Sequence, residues 1–221
     1  MEESKQKTAK KAITKEKLQL RFIEYLLLNE RTPTSVFAFC HSLKIKEADF
    51  YDHYNSFRAL EGDIWKSWFD ATLDILHKDE AYVQYSVREK LLAFYYTWIE
   101  VIKGNRSFVL MKFDRMPQKE INPEFFKPLH HAFKEYVNDL LLEGKDTAEI
   151  ADRPFSKQYD KGFWIQFMFL TRFWAKDDSH GYEQTDAAIE KAVNFSFDLV
   201  SKGPLDSFLD LAKFLYQSNK I

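Results

Sequence analysis

Residues 34–60 read Thr34-Ser-Val-Phe-Ala-Phe-Cys-His-Ser-Leu-Lys-Ile-Lys-Glu-Ala-Asp-Phe-Tyr-Asp-His-Tyr-Asn-Ser-Phe-Arg-Ala-Leu60. Thr34 or Ser35 can cap a short helix from Val36 to Leu43, because their hydroxyls accept from orphan amides of a first turn. Lys44-Ile45-Lys46 then interrupts the pattern, and a second short helix is predicted from Glu47 to Tyr54. Asn55-Ser56 makes a turn, with Ser56 capping a long helix from Phe57 to about Leu76. Ile45 is expected inside, between Phe39 and Phe50, where it would hold the two short helices at a fixed angle. Two short helices across a tight turn form a helix-turn-helix unit.

Upstream, Thr14 is an N-cap candidate. Leu18, Phe22, Tyr25 and Leu26 recur at helical spacing and give one apolar face. Pro33 disfavours helix at Thr32, so Asn29 to Thr34 is a break. Residues 1–13 are polar with four lysines and read as a disordered basic arm. The predicted organisation is an arm at 1–13, a helix-turn-helix domain at 14–60 and a helical body at 61–221.

That body also reads as helices. Ser86 caps one running to about Lys103, and Gly104-Asn105 ends it. A short helix is expected from Ser107 to Asp114. Asn122-Pro123 marks the start of another, with Pro at the first helical position. Gly144 is expected to end that helix, and residues 144–154 to form a polar loop. The stretch from Ser156 to Lys176 is apolar on almost every side, so it must be buried on both. Helices from Glu183 to about Ser201 and from Leu205 to Gln217 complete the chain. The predicted class is all-α, with no strand run and no internal repeat.

Composition narrows the function. The chain has 221 residues, 45% hydrophobic and 30% charged, with 6 Gly, 6 Pro and one Cys. A lone Cys40 excludes internal disulfides and a Cys-rich zinc site, and fits a cytoplasmic protein. Phe163 to Leu170 is the longest apolar stretch and is far below a membrane span. Residues 1–60 hold 11 Lys plus Arg against 8 Asp plus Glu, while the remainder holds 21 against 26. A mildly basic head on an acidic body permits nucleic-acid contact by the head. Of 37 aromatic residues, 29 lie beyond residue 60. Such a surplus either packs thick helix interfaces or lines a cavity.

The 34–60 segment resembles the DNA-binding domain of TetR-type transcriptional regulators, in a resemblance that extends over about 45 residues of the head. Thr34 and Ser35 sit at the family's Thr/Ser cap, Phe39 and Cys40 on its Ile-Ala pair, and Ile45 on the Val of its Ala-Gly-Val-Ser turn. Tyr51 and Tyr54 match the aromatic ends of its Tyr-x-His/Tyr-Phe motif, and Leu60 the Leu of Lys-Glu-x-Leu. The segment from Trp174 through Asp177-Asp178-Ser179 to Thr185, then Ile189, resembles the penultimate helix pair that usually builds the dimer interface. The resemblance implies a TetR-like fold, a three-helix head followed by a six- to seven-helix body. It further implies a double-stranded DNA operator and a homodimer through helices at about 156–176 and 183–201.

The departures are specific. Lys44 replaces the turn Gly and must adopt a positive φ or change the turn. Lys46 replaces the capping Ser. Phe57 replaces a phosphate-holding Lys, with Arg58 beside it as a substitute. Glu47, Asp49 and Asp52 put three acids on the recognition helix, where phosphate attraction dominates affinity. The DNA-binding candidates implied are Thr34, Ser35, Lys44, Lys46, Glu47, Ala48, Asp49, Tyr51, Asp52, His53 and Arg58. Among them, Tyr51 and His53 suit phosphate contact.

TetR-type bodies usually hold a small-molecule cavity. Tyr95, Trp98, Phe108, Met111, Phe133, Phe163 and Phe167 are candidates for an apolar lining, with His130, Tyr136 and Gln166 for polar contact. The same aromatic residues equally suit a packed core. Enzymatic readings lack support, and no cofactor or metal is expected. Adjacent His130 and His131 face different sides of a helix, and no His-Glu-x-x-His set, glycine-rich phosphate loop or nucleophile elbow occurs. Asp177-Asp178 near His180 reads as an interhelical loop in which Asp178 or Ser179 is a cap. The alternative to a regulator is a lipid- or apolar-ligand-binding protein with a TetR-like fold that has lost DNA binding.

Overall fold

The computed structural model describes residues 13–117, 119–151, 153, 158–201 and 215. The lysine arm and the helix expected at 205–217 lie outside the described residues, Ile13 and Leu215 excepted. The chain divides into two compact units, Met1–Ile64 and Trp65–Ile221. Every described regular element is helical.

The first unit contains α1 (Lys15–Asn29), α2 (Val36–Leu43), α3 (Glu47–Tyr51) and the start of α4 (Phe57–Lys78). The caps follow the sequence. Thr14 accepts from the Lys17 amide, Ser35 from Ala38 at 3.0 Å and Ser56 from Ala59 at 3.1 Å. Four phenylalanines fill the centre. Phe22 and Phe57 stack at 5.4 Å between centroids, and Phe39 meets both edge-on at 5.9 and 5.5 Å. Phe50 meets Phe57 at 5.5 Å. Phe57 is thus a half-buried member of this core. Such pairs add about 0.5–1.5 kcal/mol each beyond their area. Ile45 is half-buried rather than inside.

A polar network ties the helices at one edge. Gln19 Nε2 and the Tyr54 hydroxyl both donate to Asp63 at 2.7 Å, and the Lys15 ammonium lies 2.9 Å from the same carboxylate. Burial, with Asp63 accepting its proton, pushes the Tyr54 hydroxyl well above the ordinary phenol range. α3 is shorter than expected: it ends at Tyr51, and residues 52–54 form a turn closed by Tyr54 N–H to the Phe50 carbonyl.

The second unit contains the rest of α4, α5 (Val87–Lys103), α6 (Arg106–Arg115), α7 (Lys127–Asp146), α8 (Tyr159–Lys176) and α9 (Glu183–Val200). Ser86 and Glu89 form a capping box on α5. Two boundaries differ from expectation. Pro123 precedes a 3-10 turn, Glu124–Phe126, and the α-helix begins only at Lys127. Gly144 lies inside α7 and is buried because Ile150 packs on it. A Cβ there would sit 2.6 Å from Ile150 Cδ1. Glycine marks a close approach at this point, not a helix end. Ile150, Ala151 and Arg153 are buried, so the loop expected to be polar contributes to the core.

α8 is buried on one side in this unit, not on both as its apolar circumference predicts. Phe163, Trp164, Phe167, Leu170 and Trp174 are buried. Its other side is open: Ile165 and Phe169 are 50% and 52% exposed. Facing them on α9, Phe195 and Leu199 are 62% and 43% exposed.

Candidate functional site

The head presents its candidate residues unevenly. Thr34, Lys44, Lys46, Glu47, Ala48, Tyr51, Asp52, His53 and Arg58 are exposed. Lys44 adopts φ 57° and ψ 38°, a left-handed conformation. Its neighbour Ile45 donates to the Cys40 carbonyl at 3.1 Å, so α2 ends in a Schellman motif with lysine in the left-handed position. For an L-residue that conformation costs about 1–2 kcal/mol.

The acids on α3 have different roles. Lys46 has no acceptor to cap with, but the Asp49 carboxylate accepts from the Lys46 amide at 2.9 Å. The lost Ser cap is therefore partly replaced, and the negative charge of Glu47 and Asp49 in the first turn favours the helix dipole. Asp49 is a structural acid held to its own backbone. Glu47 and Asp52 remain outward-facing. The His53 ring bonds to the Ile13 carbonyl at 2.9 Å, which turns it toward the start of α1. Tyr51 packs edge-on against Phe50 and stays half exposed. Cys40 is buried, and burial together with Glu47 and Asp49 pushes its thiol up, so it is an inert core residue.

In the body, most of the aromatic residues proposed to line a cavity pack on each other. Phe133 and Phe167 centroids lie 4.8 Å apart, Trp98 and Phe167 5.1 Å, and Trp65 and Phe108 5.6 Å. Trp98 Nε1 donates to Thr171 at 3.0 Å. His130 stacks on Trp164 at 4.2 Å, where burial and the nearby Lys134 charge lower its pKa. Tyr95 is fully buried with its hydroxyl unpartnered among the described residues, and burial raises its pKa. Met111 is half-buried on α6.

Three hollows are found among the described residues instead. A groove of about 840 Å³ runs between α8 and α9, bounded by Gly162, Ile165, Phe169, Ala192, Phe195 and Leu199. Phe163 and Gln166 line it, and Gln166 accepts from the Ser196 hydroxyl at 3.0 Å. A second hollow of about 530 Å³ lies between α4 and α7 and includes Tyr136. The third, about 10 Å³ among Val87, Leu91, Ile150 and Phe197, holds one water at most. Tyr95, Trp98, Phe108, Met111, His130, Phe133 and Phe167 line none of these three.

Sequence reasoning missed the groove walls and the capping of α9. Ile165/Phe169 and Phe195/Leu199 are i,i+4 pairs on helices whose opposite faces are also apolar, and that double face was the available signal. At the loop before α9, the cap is Asp177, not Asp178. Its carboxylate accepts from the Ser179 amide and hydroxyl at 2.8 and 2.6 Å, and from the Thr185 amide and hydroxyl at the same distances. Burial acts to raise its pKa, but these four bonds outweigh it and hold the carboxyl at about 2. Ser179 also caps, accepting from Gln184 at 3.1 Å. No metal-binding cluster occurs among the described residues.

A family model described as tetracyclin repressor-like, C-terminal domain, matches residues 90–215, more than half of the chain. The chain belongs to the TetR family of transcriptional regulators. The match begins within α5 and runs through α9, so it includes both walls of the α8/α9 groove but not α4. TetR-like all-α architecture accounts for the element order. No curated protein matches the chain. No helix among the described residues is long and apolar enough to cross a membrane.

Proposed function

We propose that this TetR-family chain is a homodimeric operator-binding regulator whose DNA affinity is set by an apolar or amphipathic small molecule held in the body. The observation that carries the reading is the head: a Schellman-turned helix-turn-helix keeps Tyr51, Lys44, Lys46 and Arg58 exposed around a short recognition helix. Lysine and arginine supply phosphate attraction, and the first turn of α3 offers side chains to base edges.

The α8/α9 face supports the dimer. Four large apolar side chains around one open groove form a patch of the sort that monomeric proteins rarely leave uncovered. A second copy covers it by two-fold pairing of the same two helices. Ligand binding then favours a body shape in which the two heads no longer match successive major grooves, and operator affinity falls.

The test is binding of the purified chain to DNA from upstream of its own coding region, compared with shuffled DNA, at low and moderate salt. Selective, salt-sensitive binding is expected. The outward acids Glu47 and Asp52 favour the rival, an apolar-ligand carrier on the same fold without DNA function. Absence of DNA binding at low salt, together with co-purified lipid, would establish that rival.

A further inference from the structure

The two large hollows differ in charge. The charged side chains lining the α8/α9 groove are Arg153 and Lys191, both basic. The α4/α7 hollow is lined by four carboxylates, Asp70, Glu135, Asp139 and Glu143, against two ammonium groups, Lys66 and Lys90. Each ammonium is already committed: Lys66 lies 2.6 Å from Asp70, and Lys90 pairs with Glu143 at 2.5 Å. The surplus negative charge therefore rests on Glu135 and Asp139, one turn apart on α7. Glu135 has only the His131 ring nearby, at 3.3 Å, and Asp139 makes no ion pair among the described residues.

The floor beneath these acids is aromatic and apolar, with Phe69, Leu73, Tyr82, Tyr136 and Leu140. One cation already uses it. Lys90 Nζ sits 5.8 Å from the Tyr82 ring centroid, within the range where a ring's quadrupole attracts positive charge. Tyr82 and Tyr136 are locked by a hydroxyl contact of 3.1 Å, so the floor is preorganised. A volume of about 530 Å³ suits a compact drug-sized molecule.

We propose that the α4/α7 hollow binds an organic cation with an apolar body, its charge set against Glu135 and Asp139 and its body on the tyrosine floor. A neutral apolar molecule gains only the floor, and an anion meets the surplus carboxylates. The proposal deepens the reading of the body as a ligand-holding unit by naming its site and the ligand's charge.

Titration calorimetry of the full chain tests this with two probes of nearly equal shape and opposite charge, tetraphenylphosphonium and tetraphenylborate. The phosphonium should bind at least about tenfold tighter. Glu135→Gln with Asp139→Asn removes the surplus charge from two exposed positions, and should weaken phosphonium binding about tenfold while leaving the helical circular dichroism intact. Ala132→Trp, which fills the hollow, should abolish it. Equal or tighter binding of the borate, or phosphonium binding unchanged in the double variant, overturns the proposal. The readout needs no DNA: a chain that binds the phosphonium as described but no operator refutes only the regulator reading. One that binds operator and ignores the phosphonium refutes only this site.

Discussion

Replacing Asp177 by Asn probes how α9, one wall of the α8/α9 groove, is held at its start. The carboxylate accepts four hydrogen bonds, and two of the donors belong to Thr185, which is fully buried. Its ordinary pKa of 3.8 is held at about 2 in the folded chain. A folded-state pKa below the unfolded one means the charged form stabilises the fold. That stabilisation is fully present above pH about 5 and is lost as pH falls through about 2. The shift corresponds to about 2 kcal/mol at pH 6 and about 1 kcal/mol at pH 3. Asn keeps the shape but has one acceptor oxygen and no charge, so a cost of about 2–3 kcal/mol is expected at pH 6. Urea unfolding followed by tryptophan fluorescence should show the midpoint falling at pH 6, and the difference between the two proteins should shrink by about half at pH 3. A variant as stable as the parent at pH 6, or a difference independent of pH over this range, would refute the assignment of Asp177 as the cap.

Three further outcomes follow from the same geometry. Lys44→Gly relieves the left-handed lysine, so the head should gain about 1 kcal/mol, read as slower amide exchange in α2; a loss of protection would mean that lysine contributes more than its strain costs. Phe195→Glu places charge in the α8/α9 face and should convert a dimer to monomer by sedimentation, with helicity unchanged; a variant sedimenting as a dimer would place the interface elsewhere. Asp52→Asn removes an outward acid from the recognition surface and should raise DNA affinity about two- to fivefold at low salt, whereas weaker binding would show that the acid reads a base.

Local chemistry made the head readable from sequence. Its helix starts are set by Thr14, Ser35 and Ser56, whose hydroxyls act within three residues. Its place at the family's turn Gly leaves Lys44 a positive φ or a changed turn, and the chain takes the positive φ. What escaped depends on partners distant in sequence or on competing local turns. Gly144 looked like a helix end because the approach of Ile150 has no signature in the glycine itself. The floor of the α4/α7 hollow joins Tyr82, in the 3-10 turn after α4, to Tyr136 of α7, more than 50 residues on. The aromatic surplus was legible only as a choice between packing and lining, since both need the same residues on the same helix faces. Ring contacts among Phe94, Trp98, Phe133 and Phe167 place those four in the packed centre, while Phe163 and Tyr136 reach hollows.

The regulator reading stands most directly on the electrostatics of DNA binding by the head. Fluorescence anisotropy with upstream and shuffled duplexes, between about 50 and 200 mM salt, should show selective binding whose logarithm falls linearly with the logarithm of salt. The triple variant Lys44→Ala, Lys46→Ala, Arg58→Ala should lose affinity on both duplexes and flatten that slope by about 2–3 per head. Equal binding to the two duplexes, or a slope the triple variant leaves unchanged, would contradict the claim that this helix-turn-helix reads an operator.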